Sequence, residues 1–356
     1  MTAFRRVRPV SSFPHPPLTF SSLPATVGDA VARRQGNRKG PAISASPAIA
    51  EPSAGIGYAG PVGRFLRRRA EGRTIPVIAV CLAILGLWYC AAIGVNWATE
   101  TDKLARAGDY STLNAVAATW SAERPVLPVP HQIVAEVWKT VFEVRPTSPR
   151  SLLFHAWVTL SSTLLGFLFG SALGVLLAVG ILFSRTLDKS LMPWVVISQT
   201  IPILAIAPMI IVVLNSMGVQ GLLPKAFIST YLSFFPVTVG MVKGLRSPDR
   251  MLIDLMHSYS ANSLQTLVKL RFPASLPFLF TSMKVAVAAS LVGAIVGELP
   301  TGAVAGLGAR LLAGSYYGQT IQIWSALVMA SLMAAVLVWL VGLCERAALR
   351  RQGMLR

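Results

Sequence analysis

Six apolar stretches recur along this chain of 356 residues, each long enough to cross the ~30 Å hydrocarbon core of a bilayer. They fall at about 75–97, 152–183, 191–214, 222–243, 274–297 and 320–344. The first alone gives about 34 Å of helix at ~1.5 Å per residue. Hydrophobic residues make up 54% of the chain, charged residues only 13%, and mean hydropathy is +0.61. Apolar residues at that density define an all-α membrane protein and exclude a soluble core.

Charge lies between the spans. The net charge is +18, and 12 of the 32 lysines and arginines fall in residues 1–74. Most of the others sit in connections between spans. That distribution marks one side of a membrane, and basic tails suit anionic lipid. It does not describe a nucleic-acid surface. Arg185 and Lys189 lie in one connection, Lys243, Arg246, Arg250, Lys269 and Arg271 in another, and Arg346, Arg350, Arg351 and Arg356 in the tail. The connections 215–221 and 298–319 hold only Arg310. Six spans with both termini cytoplasmic satisfy this bias at every short loop, whereas five would place the terminal arginines outside.

The chain therefore divides into a basic extension over residues 1–74, expected to be disordered, and a first span over 75–97. An outside segment follows over 98–150, then a core of five spans over 151–345 and a basic tail over 346–356. The outside segment carries balanced charge. From Pro130, apolar residues at Ile133, Val134, Val137, Trp138 and Val141 predict a helix lying flat on the outer surface. Trp88, Trp97, Trp157, Trp194, Trp324 and Trp339, near span ends, read as interface belts. Cys81, Cys90 and Cys344 have neither metal-ligand nor disulfide spacing, so no metal site is expected.

The loop 246–273 is the exception to this plain pattern. Ser247-Pro248-Asp249 predicts a helix start. Leu252, Leu255, Met256 and Tyr259 form one apolar face. Ser260-Ala261-Asn262 breaks the helix, Ser263 is expected to cap a second with Leu264, Leu267 and Val268 on one side, and that helix is expected to end before Pro273. Such a pair suits packing, a DNA-reading helix-turn-helix, or a handle for a soluble partner. Both ends are tied into spans, which argues against DNA.

From about residue 130 to 345 the sequence resembles the integral-membrane permease subunits of bacterial ATP-binding-cassette importers, most of all those for nitrate, sulfonates, taurine and pyrimidine or vitamin precursors. Their cytoplasmic loop reads acidic-Ala-Ala, three residues, Gly, then hydrophobic-Leu-Pro. Counted back from Pro273, the acidic position is Asp254 and the glycine position Ser260; Leu255 and Met256 replace the alanines and Phe272 the leucine. The stretches 165–174, 202–208, Lys243 to Ser247, 274–277, Gly293 to Glu298 and Gly306-Leu307-Gly308 resemble the same family in order and spacing.

The resemblance implies a six-span permease of the bacterial inner membrane, working as a homodimer with a separate ATPase and a periplasmic or lipid-anchored binding protein. It implies that residues 250–264 form a coupling helix, with Asp254, Leu255, Met256, Tyr259, Ser260, Ala261, Leu264 and Pro273 in contact with the ATPase. The chain has no Gly-x-x-x-x-Gly-Lys-Ser/Thr, so it holds no cofactor and ATP and Mg would belong to the partner. The alternative from another class is a secondary transporter or channel driven by an ion gradient, which calls for paired intramembrane carboxylates or inverted repeats. Neither is evident.

Polar residues within spans are the path candidates. Gln199 and Thr200 precede Pro202 in an irregular part of the third span, either a path wall or a plain proline kink. Lys284 lies inside the fifth span and would suit an anionic substrate, or reach the cytoplasmic surface, or pair within a dimer. Glu298 either pairs with Arg310 or gates the outer mouth. Gly166, Gly170 and Gly174 form a stripe for close helix contact, within the chain or between copies. His155 and His257 read as structural.

Overall fold

The computed structural model describes residues 74–107, 111–300 and 305–353. Apart from Thr74, the basic extension 1–74 lies outside the described residues, as do residues 354–356 of the tail. Among the described residues the ordered elements are all helical. They are α1 (Thr74–Ala107), α2 (Thr112–Ser121), α3 (Pro130–Trp138), α4 (Leu152–Phe183), α5 (Arg185–Ser198), α6 (Ile203–Ser216) and α7 (Leu222–Leu245). After these come α8 (Arg250–Ser258), α9 (Ser263–Thr266), α10 (Phe272–Glu298), α11 (Leu307–Tyr316) and α12 (Thr320–Arg351). Wide π turns over Lys139–Glu143 and Leu267–Arg271 follow α3 and α9.

Among the described residues, five helical stretches are long and apolar enough to cross a membrane: 75–106, 152–183, 222–245, 263–298 and 320–351. The pair α5 and α6 passes the same test together but bends by 100° at the break, and counting it as one span gives six. The predicted break at Pro202 is therefore real, with Pro202 as the N-cap residue of α6, while Pro208 sits inside α6 without ending it. The bent span also starts earlier than predicted, at Arg185, where the Ser184 side chain accepts the Leu187 N–H.

Two predicted ends need correction. Helix α1 does not stop at residue 97 but runs to Ala107. Its last turns are polar yet helix-compatible, and Glu100 pairs with Lys103 one turn on at 2.5 Å. Helix α12 passes residue 344 and carries Arg346, Arg350 and Arg351, cations that suit the negative end of a helix dipole.

Small residues bring α4, α7 and α10 together. A Cβ added at Gly166 would lie 2.2 Å from Ser229 Cβ, one at Gly170 2.0 Å from Ser233 Oγ, and one at Gly174 2.8 Å from the Phe234 carbonyl oxygen. The glycine stripe thus packs within the chain, against α7. Farther along α7, Gly240 and Gly244 lie close against Ser282 and Ser275 of α10, where an added Cβ would come within 2.4 and 2.9 Å, and Gly293 of α10 lies against Ser229, at 2.8 Å. Hydrogen bonds cross these contacts: Thr230 and Ser233 hydroxyls reach the Gly166 carbonyl and the Ser290 hydroxyl the Thr163 carbonyl. Close backbone approach with bridging hydroxyls is how helices adhere where lipid offers no hydrophobic drive. Apolar clusters flank this trio, one around Ile181, Met241 and Leu245 near the loop, the other around Leu152, Val287, Leu291, Leu307 and Ala330 toward α12.

Helix α1 stands apart from the trio and is held through the segment after α2. The fully buried Asn96 amide accepts the Val126 and Leu127 N–H groups and donates to the Leu127 carbonyl. Trp88 donates to the Pro128 carbonyl and meets Trp324 of α12 edge-on, centroids 5.0 Å apart. These two tryptophans make a tertiary contact instead of the predicted belt. Trp157, Trp194 and Trp339 remain exposed on their helices, as a belt requires.

Candidate functional site

The loop between α7 and α10 is built from two clamps and a turn. At its start, Arg246 pairs with Asp188 of α5 at 2.9 Å. At its end, Arg271 donates to the Leu245 carbonyl at the close of α7. Helix α8 begins two residues later than predicted. Ser247 turns back to the Gly244 carbonyl, and Asp249 takes the cap position, where its charge favours the helix dipole. The second cap also shifts, from Ser263 to Asn262. The Asn262 side chain accepts the Gln265 N–H while Gln265 accepts the Asn262 N–H, a reciprocal capping box.

Between the caps lies Ser260, whose φ is +54°, the one positive φ at a non-glycine residue among those described. Its N–H donates to the His257 carbonyl and that of Ala261 to the Met256 carbonyl. This is a Schellman motif with serine at the left-handed position that glycine usually fills. The residue assigned to the family's glycine position is the residue that adopts a glycine-like backbone.

The turn presents apolar side chains to the outside. Met251 is 83% exposed, Tyr259 77%, Leu264 63% and Leu255 50%. Asp254 is exposed beside them, while Met256 and Ala261 are half-buried. Pro273 does not end the second helix, contrary to expectation. Helix α9, the π turn and α10 form one apolar stretch from Ser263 to Glu298. The wide turn over Leu267–Arg271 lets the helix pass a residue that lacks an N–H and crowds the preceding turn.

A polar cluster closes the opposite end of that stretch. Glu298 is fully buried. Its carboxylate accepts the Thr159 hydroxyl at 2.9 Å and the Gly308 N–H at 2.8 Å, and lies 3.8 Å from the Lys225 ammonium. Thr159 in turn accepts the Leu307 N–H, and Lys225 donates to the Ala305 carbonyl. His155 accepts the Gly306 N–H at Nδ1 and contacts the Pro149 carbonyl through Nε2. An N–H only donates and a carbonyl only accepts, so these partners place the ring proton on Nε2. Gly306 has φ +129°, and a Cβ there would sit 2.2 Å from Glu298 Cδ.

Glu298 therefore does not pair with Arg310. Arg310 lies on the first turns of α11, where burial pulls its guanidinium below the ordinary value and the field of Glu136 opposes that. Lys284 faces Glu345 of α12 in a close ion pair. Gln199, Thr200 and Pro202 are exposed at the bend between α5 and α6. The Tyr231 hydroxyl fastens the Ser198 carbonyl beside them. The five path candidates thus fall in three separate places.

Residues 170–352 match the family described as binding-protein-dependent transport system inner membrane component, and the chain belongs to it. It is 34% identical over 174 residues to a probable ABC transporter permease protein of Haemophilus influenzae, covering 49% of this chain and 69% of that protein. It is 32% identical to the riboflavin transport system permease protein RibX of Chloroflexus aurantiacus, covering 63% and 80%. To the formylaminopyrimidine transport permease protein ThiX of Halalkalibacterium halodurans it is 32% identical, covering 51% and 68%. The chain is a multi-pass inner-membrane permease of an ABC importer, and the alternative of an ion-gradient transporter gives way to that membership.

Proposed function

We propose that the loop from Arg250 to Pro273 is the surface through which a separate ATPase drives this permease. The observation that carries the reading is the Schellman turn at Ser260. It holds Leu255, Tyr259 and Leu264 exposed at the mouth of a helix that runs without a break in its apolar stretch to Glu298. Exposed apolar side chains on a clamped loop favour a protein partner, and a rigid helix behind them carries displacement across the membrane. ATP and Mg belong to that partner. Two copies of the chain form the path, both termini face the cytoplasm with the loop, and a binding protein delivers solute from the other side. Relatives named for riboflavin, formylaminopyrimidine, aliphatic sulfonates and nitrate support a small solute of that range as cargo.

Charging the exposed face tests this. Leu255→Glu with Tyr259→Glu leaves the half-buried Met256 in place. The ATPase is expected to be lost from the purified complex while the permease stays monodisperse in detergent. A complex that survives both changes intact refutes the assignment.

A further inference from the structure

We propose that Glu298, with Thr159 and Lys225, is the positioning set that locks α11 to the α4–α7–α10 trio, making α11 the element that moves at the mouth opposite the loop. The proposal rests on the coupling reading above. Three successive N–H groups entering α11, those of Gly306, Leu307 and Gly308, are each taken by a side chain of the trio: His155, Thr159 and Glu298. Lys225 of α7 holds the carbonyl just before them. The free donors of the helix start are thus satisfied from outside the helix, by groups on α4 and α10, while α7 supplies the donor for the carbonyl before them.

The geometry links this seat to the loop. Glu298 ends the same apolar stretch that Ser263 begins. The trio is in backbone contact through Gly166, Gly170, Gly240 and Gly293, so it shifts as one body. On its other side α11 packs on α12, where Gly314 lies against Ile323, and its first residue Leu307 shares an apolar cluster with Leu152 and Leu291 of the trio. The knot adds the directional tie that makes α11 follow the trio and not α12. The last turn of α11 carries the exposed Tyr316, followed by the exposed Tyr317.

The test uses the purified complex with its ATPase, in nanodiscs, with Cys81, Cys90 and Cys344 replaced by Ala and Tyr316→Cys as reporter. Maleimide labelling of the reporter is timed with and without vanadate-trapped nucleotide. The parent rate is expected to change at least threefold on trapping. Thr159→Val and Glu298→Ala are expected to abolish the change while ATP hydrolysis stays within twofold. Glu298→Gln, which keeps the acceptor for Gly308, should retain it. Thr159→Val preserves volume, so it decides if Glu298→Ala does not assemble. A parent rate indifferent to trapping while ATP is hydrolysed overturns the proposal. So does an Ala or Val variant that responds like the parent, or a Val variant that no longer assembles, since the knot would then hold the fold and not the motion. A parent that purifies without any ATPase overturns the coupling reading, and this proposal with it.

Discussion

Gly166 of α4 and Ser229 of α7 stand so close that a Cβ on the glycine would come within 2.2 Å of the serine Cβ. The Ala226 carbonyl oxygen, at 2.8 Å from the same point, is backbone and cannot rotate away. Gly166→Val should therefore separate the two helices, at a cost above the ~3 kcal/mol typical of severe overpacking. Gly86→Val on α1, where nothing lies within 4 Å, is the control and should change little. Thermal unfolding in detergent compares them, and equal melting temperatures would contradict the close approach.

Serine at φ +54° carries backbone strain of about 1–2 kcal/mol that glycine would not, partly offset by the greater freedom glycine has when unfolded. Ser260→Gly should stabilise the end of α8 by about 0.5–1 kcal/mol, and Ser260→Val should destabilise it. Hydrogen exchange at the Tyr259 to Ala261 amides reads the difference directly. Slowing by about fivefold corresponds to ~1 kcal/mol. Faster exchange in the glycine variant would show that the serine side chain makes a contact outweighing its strain.

Much of this was legible in the sequence, and the reasons for the rest are physical. Spans announce themselves because every residue in lipid must be apolar or paired, so their positions and their glycine stripe could be read directly. The break at Pro202 and the turn at Ser260 follow from local backbone chemistry. Partners across the fold do not. Lys225 and Thr159 carry no local signal that they meet Glu298, since both are distant in sequence and the Thr159 contact joins residues 139 positions apart. Glu345 was hidden differently: it lies just past the predicted end of the last span, and only a helix extended to Arg351 brings it to Lys284. Pro273 misled because the wide π turn just before it leaves room for the ring and for the missing N–H, so the helix passes through.

The buried Asn96 amide ties α1 to residues 126–127 through three hydrogen bonds. Asn96→Leu keeps the volume and leaves those backbone groups unmatched, a loss of about 1–3 kcal/mol for each group left buried. The expected outcome is local: faster proteolysis between Ala122 and Pro130, with α4, α7 and α10 unaffected. Cleavage elsewhere in the chain, or none, would count against this role for Asn96.

Lys284 and Glu345 face each other within the helical bundle, with side chains 34% and 18% exposed. Removing one partner strands the other in a poorly solvated place, which for a fully buried pair costs about 3–5 kcal/mol. Partial exposure reduces that here, so Lys284→Met or Glu345→Gln alone should lower stability by about 1–3 kcal/mol. The exchange Lys284→Glu with Glu345→Lys restores opposite charges across the same gap. It should recover most of the lost stability in a thermal melt of the detergent-purified chain. Transport by the reconstituted complex then separates two roles. Recovery of both stability and transport assigns the pair to holding α10 against α12. Recovery of stability without transport shows that a lysine is needed at position 284 itself, as contact with an anionic solute would require.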